Sequence, residues 1–397
     1  MVTKIADGVF WVGVVDWGIR RFHGHELSTH RGTTYNAYLI VDEKIALVDT
    51  VWEPFSEELM RNIREVVDPA KIDYVIANHA EVDHSGGLPA VMRECPEATV
   101  VVSKRGAESI PGHYHADWKL RAVGTGEKIG LGASDLVFVE APMLHWPDSM
   151  FTYLTGRNVL MPNDAFGQHY ATAFRFNDEA ARDELYEEAL KYYANILTPF
   201  SGLVTKKIDE VLALGLPVDV IAPSHGVIWR ADPLQIVKKY QDWAAQKPEP
   251  RAVVLYDTMW NATRKMADAI IDGLAEGGVD ARAFHVAAAD RNDVNVEVFR
   301  SRAVLVGSPT FNNGVLPTLA PILEDLRGLK FKNKIAAAFG SYGWSGEAPD
   351  KIEEHLRGCK FEIVADAVKF KWQPTEDDLK ASRGLGRHVA AAIKGGE

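Results

Sequence analysis

Apolar positions follow two different rhythms along the chain, and the change falls near residue 249. Before it, short apolar runs arrive in groups. Lys4–Gly13 reads as a hairpin, with a Gly turn among β-branched and aromatic residues. Thr34–Val41 and Ile45–Asp49 predict paired strands turned by Asp42-Glu43-Lys44. Pro54–Val67 places Phe55, Leu59, Ile63 and Val66-Val67 at helical spacing. Further strands are predicted at Ile72–Ala77, Thr99–Val102, Leu136–Glu140, Phe151–Leu154, Asn158–Met161 and Asp219–Ala222, with helices at Leu88–Glu94, Glu179–Ala194 and Lys206–Leu214. Strands in runs, with helices between them, predict an α+β layered domain.

After Pro248-Glu249-Pro250 the strands alternate with helices. Arg251–Tyr256, Ala281–Val286, Ala303–Gly307 and Lys334–Phe339 read as strands, and Ala367–Trp372 as extended. Thr263–Leu274, Val294–Ser301, Leu316–Leu326, Ala348–Arg357 and Asp377–Lys394 read as helices. This alternation predicts an α/β doubly wound parallel sheet with a ligand crevice beyond its strand ends. A chain of 397 residues exceeds what one core usually supports, so two domains are expected, 1–248 and 249–397.

Composition narrows the class. At 47% hydrophobic and 25% charged the chain is an ordinary globular protein. A formal net charge of −11 argues against nucleic acid and anionic membranes as partners. The first residues lack the basic and apolar regions of a signal peptide, and no apolar run reaches membrane-spanning length. A soluble, cytoplasmic protein is expected. Cys95 and Cys359 are far apart and form no C-x-x-C pair, which excludes a disulfide scaffold, a thiolate zinc site and a built-in rubredoxin-type iron centre.

The densest chemistry is Asn78–Gly87, N-H-A-E-V-D-H-S-G-G, directly after an apolar strand. His79, Glu81, Asp83 and His84 are costly to desolvate together unless a cation neutralises them, and all are metal-ligand types. In a straight strand His79, Glu81 and Asp83 would spread over roughly 13 Å, too far for one metal cluster. The segment must therefore coil, and Ser85-Gly86-Gly87 gives it the freedom to do so. The bland alternative is a polar loop. Against it, three later strands each end in a candidate ligand beside a Pro or Gly: His145 in M-L-H-W-P-D, Asp164 in P-N-D-A-F-G and His225 in P-S-H-G. His23, His30, His113, His115, His169, His285, His355 and His388 lack such a context and are read as surface or core residues.

A second site is expected on the crevice edge of the C-terminal sheet. Thr258, Met259, Trp260, Asn261, Ala262 and Thr263 lead into a helix N-terminus suited to one phosphate. Ser308, Pro309, Thr310, Asn312 and Asn313 form a second loop; Ser341, Tyr342, Gly343, Trp344 and Gly346 form a third. Neither G-x-G-x-x-G nor G-K-[ST] is present, so dinucleotides and nucleoside triphosphates are disfavoured. One phosphate and one planar ring between aromatics suit flavin mononucleotide, FMN. Taken singly, each loop also reads as an ordinary Gly-rich turn.

With both sites placed, the chain resembles the flavodiiron proteins (A-type flavoproteins of the rubredoxin:oxygen oxidoreductase kind). The resemblance covers the whole chain and rests on His79-Ala80-Glu81-Val82-Asp83-His84, the later residues His145, Asp164 and His225, and the flavin loops T-M-W, S-P-T-x-N-N and S-Y-G-W-S-G-E. It implies a metallo-β-lactamase-like αββα sandwich carrying two non-haem irons, followed by a flavodoxin-like domain carrying FMN. By that likeness one iron takes His79, Glu81 and His145, the other takes Asp83 and His225, and Asp164 bridges them. The place of His84 stays open, because in some members the equivalent imidazole swings away. Hydrolases of this fold usually read H-x-H-x-D-H; Glu81 replaces the second imidazole here, and three carboxylates favour harder metals than zinc.

The resemblance implies reduction of dioxygen to water, of nitric oxide to nitrous oxide, or both. Two irons and a reduced flavin together hold the four electrons that dioxygen needs. His25, Tyr193 and Trp146 are the candidates to line the substrate pocket, with packing as the alternative role. A separate rubredoxin is the implied electron donor, and a head-to-tail homodimer or a dimer of dimers the implied assembly. Two other readings stay open: a zinc hydrolase fused to a flavodoxin-like domain, and an electron carrier whose metal domain has lost activity.

Overall fold

The computed structural model describes residues 2–395. They form two compact units: one runs to Tyr193 and takes in Phe200–Ala244, and the other holds Ala194–Pro199 and the chain from Ala245 onward.

The first unit contains two sheets. One has seven strands in the spatial order Thr3–Ala6, Val9–Trp11, Tyr38–Val41, Ile45–Val48, Ile72–Ala77, Thr99–Ser103 and Leu120–Val123. The other has five, Lys128–Gly130, Asp135–Glu140, Met150–Leu154, Val159–Met161 and Val220–Ile221. Alternate residues of each turn inward to a shared core: Tyr38 and Ile40, Ala46 and Val48 from one, Leu136 and Phe138, Val159 and Met161 from the other. Leu39, Leu47 and Val75, which point the other way, are equally buried, so the larger sheet is covered on both faces.

Local departures from the expected elements have identifiable causes. Thr34–Val41 is not one strand. Thr33–Tyr35 pairs with Val14–Asp16, and Tyr38–Val41 pairs with Val9–Trp11 and Ile45–Val48. The break falls at Asn36, whose side chain and backbone N–H bond the loop that carries His225. The helix expected over Pro54–Val67 splits into a 3-10 turn, Glu53–Phe55, and an α-helix, Ser56–Arg64. Helices Gly106–Tyr114 and Leu234–Ala244 were not anticipated. The first contains Gly and an internal Pro111, which hide it from propensity.

In the second unit all neighbouring strands are parallel. Ala281–His285, Glu249–Tyr256, Ser301–Gly307 and Ile335–Tyr342 lie in that order, and Ile335–Tyr342 pairs further with Glu362–Ile363 and Val368–Lys371. Numbered within this unit the order is 2-1-3-4-5, a doubly wound sheet. Its topological switch point lies between Glu249–Tyr256 and Ser301–Gly307, where the chain leaves a crevice for a ligand.

Candidate metal centre and flavin site

Asn78–Gly87 leaves the strand Ile72–Ala77 and coils at once into the short helix Val82–Ser85. That coil brings side chains together which a straight strand would separate. Asp164 follows the strand Val159–Met161, His225 follows Val220–Ile221, and His145 lies on the turn after Asp135–Glu140.

Two groups of ligand atoms result. His79, Glu81, His145 and Asp164 each place one ligand atom within 4.8 Å of the others, and so do Asp83, His84 and His225. Asp164 connects them. Its Oδ2 is 3.4 Å from His145 Nε2 and 3.9 Å from His79 Nε2, while its Oδ1 is 3.0 Å from His84 Nε2 and 3.6 Å from His225 Nε2. Glu81 Oε2 is 3.2 Å from His79 Nε2, and Asp83 Oδ2 is 3.1 Å from His225 Nε2. All four imidazoles thus present Nε2 to a shared interior.

That interior fits metal ions. Asp83 Oδ1, His84 Nε2 and Asp164 Oδ2 are buried and have no hydrogen-bond partner among the described residues. Orphaned polar atoms of that kind are costly unless something else satisfies them. Nitrogen and carboxylate donors in near-equal number suit iron or manganese, and the two groups bridged by one carboxylate suit a pair. The electrostatics agree. Burial alone would lower the pKa of His84, but Asp83 and Asp164 more than offset it and raise it to about 10. For His79 the same contest, with Asp148 and Glu81 opposing burial, ends at about 9. Burial would raise Asp164, yet His84 and His145 hold it well below the usual carboxylate range. Without metal, protons stand where cations belong.

His25 and Tyr193 are not beside this cluster. His25 is exposed at the tip of the hairpin formed by Arg21–Phe22 and Leu27–Ser28. His23, two positions earlier, places Nε2 2.9 Å from Glu81 Oε1. The reversal of the chain at His23 and Gly24, both at positive φ, decides which imidazole faces inward. Tyr193 packs its ring on Tyr240 and Trp243 and bonds Ser201 Oγ at 3.1 Å. Its neighbour Tyr192 faces His169 and His225 instead, with centroids 5.2 and 6.4 Å away. Consecutive helical residues point about 100° apart, so one position separates packing from the site. Burial, then Asp164, Tyr240, Asp83 and Glu81, push the Tyr192 phenol well above its ordinary pKa, so it keeps its proton. Trp146 stands edge-on to His79 at 5.1 Å. His169, read from the sequence as an unremarkable residue, is buried against His225.

In the second unit a cavity of about 520 Å³ opens at the switch point. Of the expected residues, Thr258, Met259, Trp260, Ala262, Pro309, Thr310, Ser341, Tyr342, Gly343 and Trp344 line it. The others support its walls. Asn261 takes a left-handed conformation before the helix Ala262–Glu276, and Thr263 Oγ1 pairs with Ser341 Oγ at 3.0 Å. Ser308 Oγ accepts from Leu316 N at 3.0 Å, Asn313 donates to Glu347 at 2.9 Å, and Gly346 packs on the Tyr342 ring. Asn312, also in a left-handed conformation, is exposed on the second loop. Phe311, Trp372 and Gln373 also line the cavity and were not anticipated. Trp260 and Trp344 are 82% and 80% exposed, a costly presentation of apolar surface unless a ring covers them. Thr258 Oγ1 is buried without a partner among the described residues, beside the helix N-terminus, where a phosphate would accept from it. These residues fit FMN.

Residues 254–385 match the flavodoxin family, and residues 33–226 match the ODP family of β-lactamase-like proteins. The chain is 52% identical to a nitric oxide reductase of Moorella thermoacetica over 98% of both chains. It is 50% identical to the anaerobic nitric oxide reductase flavorubredoxin of Escherichia coli K12, over 98% of this chain and 82% of that one. Rubredoxin oxygen:oxidoreductase from Desulfovibrio gigas superposes with a TM-score of 0.97 at 40% identity, covering 100% of this chain and 99% of that one. The flavodiiron protein of Giardia intestinalis does so with a TM-score of 0.94 at 34% identity, covering 100% and 97%. The two units are therefore a metallo-β-lactamase-like domain and a flavodoxin-like domain. The chain belongs to the flavodiiron protein family.

Proposed function

We propose that this protein is an oxidoreductase that reduces nitric oxide to nitrous oxide, dioxygen to water, or both, using a non-haem diiron site and FMN. The observation that carries this reading is Asp164, whose two oxygens address two separate ligand groups in one buried pocket. The functional domains are taken as 1–248 and 249–397. We assign His79, Glu81 and His145 to one metal, Asp83, His84 and His225 to the other, and Asp164 to both. Iron held by these residues and FMN in the second unit, once reduced by an electron donor, would supply the electrons that reduction of either gas requires.

The chain's own residues handle binding and protons. His23 and Tyr192 are the groups proposed to supply protons to the substrate, the first bonded to Glu81 and the second packed beside His225. Trp146 walls off the His79 side from water. His25 and Tyr193 take no part in this assignment. Thr258 and the start of the helix Ala262–Glu276 would hold the phosphate of FMN, and Trp260, Tyr342 and Trp344 would hold its ring.

Rubredoxin is the proposed electron donor, supported by the names of two relatives, a flavorubredoxin and a rubredoxin oxygen:oxidoreductase. A head-to-tail homodimer is the proposed assembly, testable by light scattering. Among the described residues no helix is long and apolar enough to cross a membrane. Nitric oxide is the gas to test first, because relatives at 52% and 50% identity carry that activity in their names. The hydrolase alternative is disfavoured by a complete flavodoxin-like domain, since hydrolysis needs no redox cofactor. The deciding experiment is anaerobic reduction of the purified protein, followed by separate exposure to nitric oxide and to dioxygen. Rapid reoxidation with nitrous oxide or water as product supports the proposal. Two zinc ions per chain with no iron, or release of hydrogen peroxide, would defeat it.

A further inference from the structure

Imidazoles at opposite ends of the metal centre are held by different chemistry. His79 Nδ1 faces the carboxylate of Asp148, 3.3 Å from Oδ1 and 3.4 Å from Oδ2. His225 Nδ1 donates to the backbone carbonyl of Thr34 at 2.6 Å. Asp148 is buried and itself fixed: Oδ2 accepts from Ala80 N at 2.7 Å, and its backbone carbonyl accepts from Ser103 Oγ at 2.6 Å. It lies on the same turn as His145, so this one residue fastens both the His79 ring and the turn carrying a second ligand. Those two imidazoles belong to the group of four ligands; His225 belongs to the group of three.

An imidazole that donates to a carboxylate is a stronger metal donor than one that donates to a neutral carbonyl, and loss of such a partner typically lowers metal affinity by about 10–100-fold. We infer that the two metal positions are unequal, and that Asp148 is the positioning residue that makes the His79–Glu81–His145 position fill first and empty last. The Asp83–His84–His225 position is the labile one. Its loop is secured by a neutral clamp: Asn36 Nδ2 donates to Pro223 O at 2.8 Å and to Gly226 O at 3.0 Å. This inference rests on the two-metal reading proposed above.

Iron release from the full-length, iron-loaded protein tests it. With excess ferrous chelator, followed by the absorbance of the chelate, release is expected in two phases of one iron per chain each. Asp148→Asn preserves the side-chain shape and an acceptor for Ala80 N–H. It is expected to accelerate only the slow phase, by about 10–100-fold. Asn36→Ala is expected to accelerate only the fast phase. Flavin content and far-UV circular dichroism verify the fold of each variant. Release of both irons in a single wild-type phase, or equal acceleration of both phases by Asp148→Asn, would overturn the inference. Should that variant not fold, anomalous diffraction from half-depleted wild-type protein decides: the remaining iron is expected beside His79, and finding it beside His225 overturns the assignment. Protein that never holds two metals would instead refute the two-metal reading on which the inference stands.

Discussion

His23 Nε2 lies 2.9 Å from Glu81 Oε1, so the tip of a small surface hairpin reaches the metal cluster. Burial lowers the pKa of this imidazole, but Glu81 outweighs it and raises the net value. On the proposed assignment His23 is the imidazole positioned to donate at this carboxylate, whereas His25 is exposed beyond it. His23→Phe is expected to slow turnover by about 10²-fold, the low end of general acid–base contributions, while iron content stays at the wild-type value. His25→Phe is expected to leave the rate near that of the wild type. Steady-state gas consumption, with metal analysis of each variant, checks both; equal effects of the two substitutions would remove His23 from the mechanism.

Tyr192 and Tyr193 make a second matched pair. Tyr193→Phe loses one buried hydrogen bond to Ser201 and should cost about 0.5–1.5 kcal/mol of stability with little change in rate. Tyr192→Phe should do the reverse, slowing turnover with a thermal midpoint close to wild type. Denaturant melts run beside activity assays separate the two, and a slower Tyr193→Phe enzyme would contradict the assignment.

Stability of the metal-free protein should depend on pH in a particular direction. His79 and His84 have folded-state pKa values of about 9 and about 10, above the ordinary 6.5. The folded state then binds more protons than the unfolded state between these values, so stability falls as pH rises. The contribution is fully present below pH 6.5 and is lost as pH climbs through about 9 to 10. On the proposed assignment these imidazoles bind metal in the loaded protein, so metal uptake near neutral pH should expel protons and affinity should rise with pH. Melting temperatures of metal-free and loaded protein across this range provide the check. A flat metal-free profile from pH 7 to 10 would count against the paired carboxylate–imidazole arrangement.

Thr258 Oγ1 is buried, with no partner among the described residues, beside the start of the helix Ala262–Glu276. Thr258→Val should weaken FMN binding by about 10–100-fold, the equivalent of one hydrogen bond to a charged group at about 1.5–3 kcal/mol. Flavin fluorescence on titration of deflavinated protein measures this. Unchanged affinity would move the phosphate elsewhere.

Legibility from sequence followed how local each feature is. The candidate ligands His145, Asp164 and His225 could be read because each sits just past an apolar strand, next to a residue that shapes a turn. The residues that hold them could not. Asp148 meets His79 across 69 residues, and Thr34 meets His225 across 191. Nothing local marks either contact. His23 and Tyr192 were missed by two positions and by one, because a hairpin tip has no side-chain period and a helix turns its side chains by about 100° per residue. In the second unit the three loops were legible from glycines and aromatics. Trp372 and Gln373 were not, since they follow an edge strand that brings them to the cavity from the far end of the chain.

Asn36 grips the loop around His225 across 187 and 190 residues. During synthesis Thr34 and Asn36 leave the ribosome early and must wait for Pro223 and Gly226, while the His79–His84 coil is already in hand. A growing chain can therefore offer incoming iron only part of its cage. The half of the centre around His225 takes shape only when nearly the whole first unit has emerged, so in the order of translation it is the last part of the cage to close.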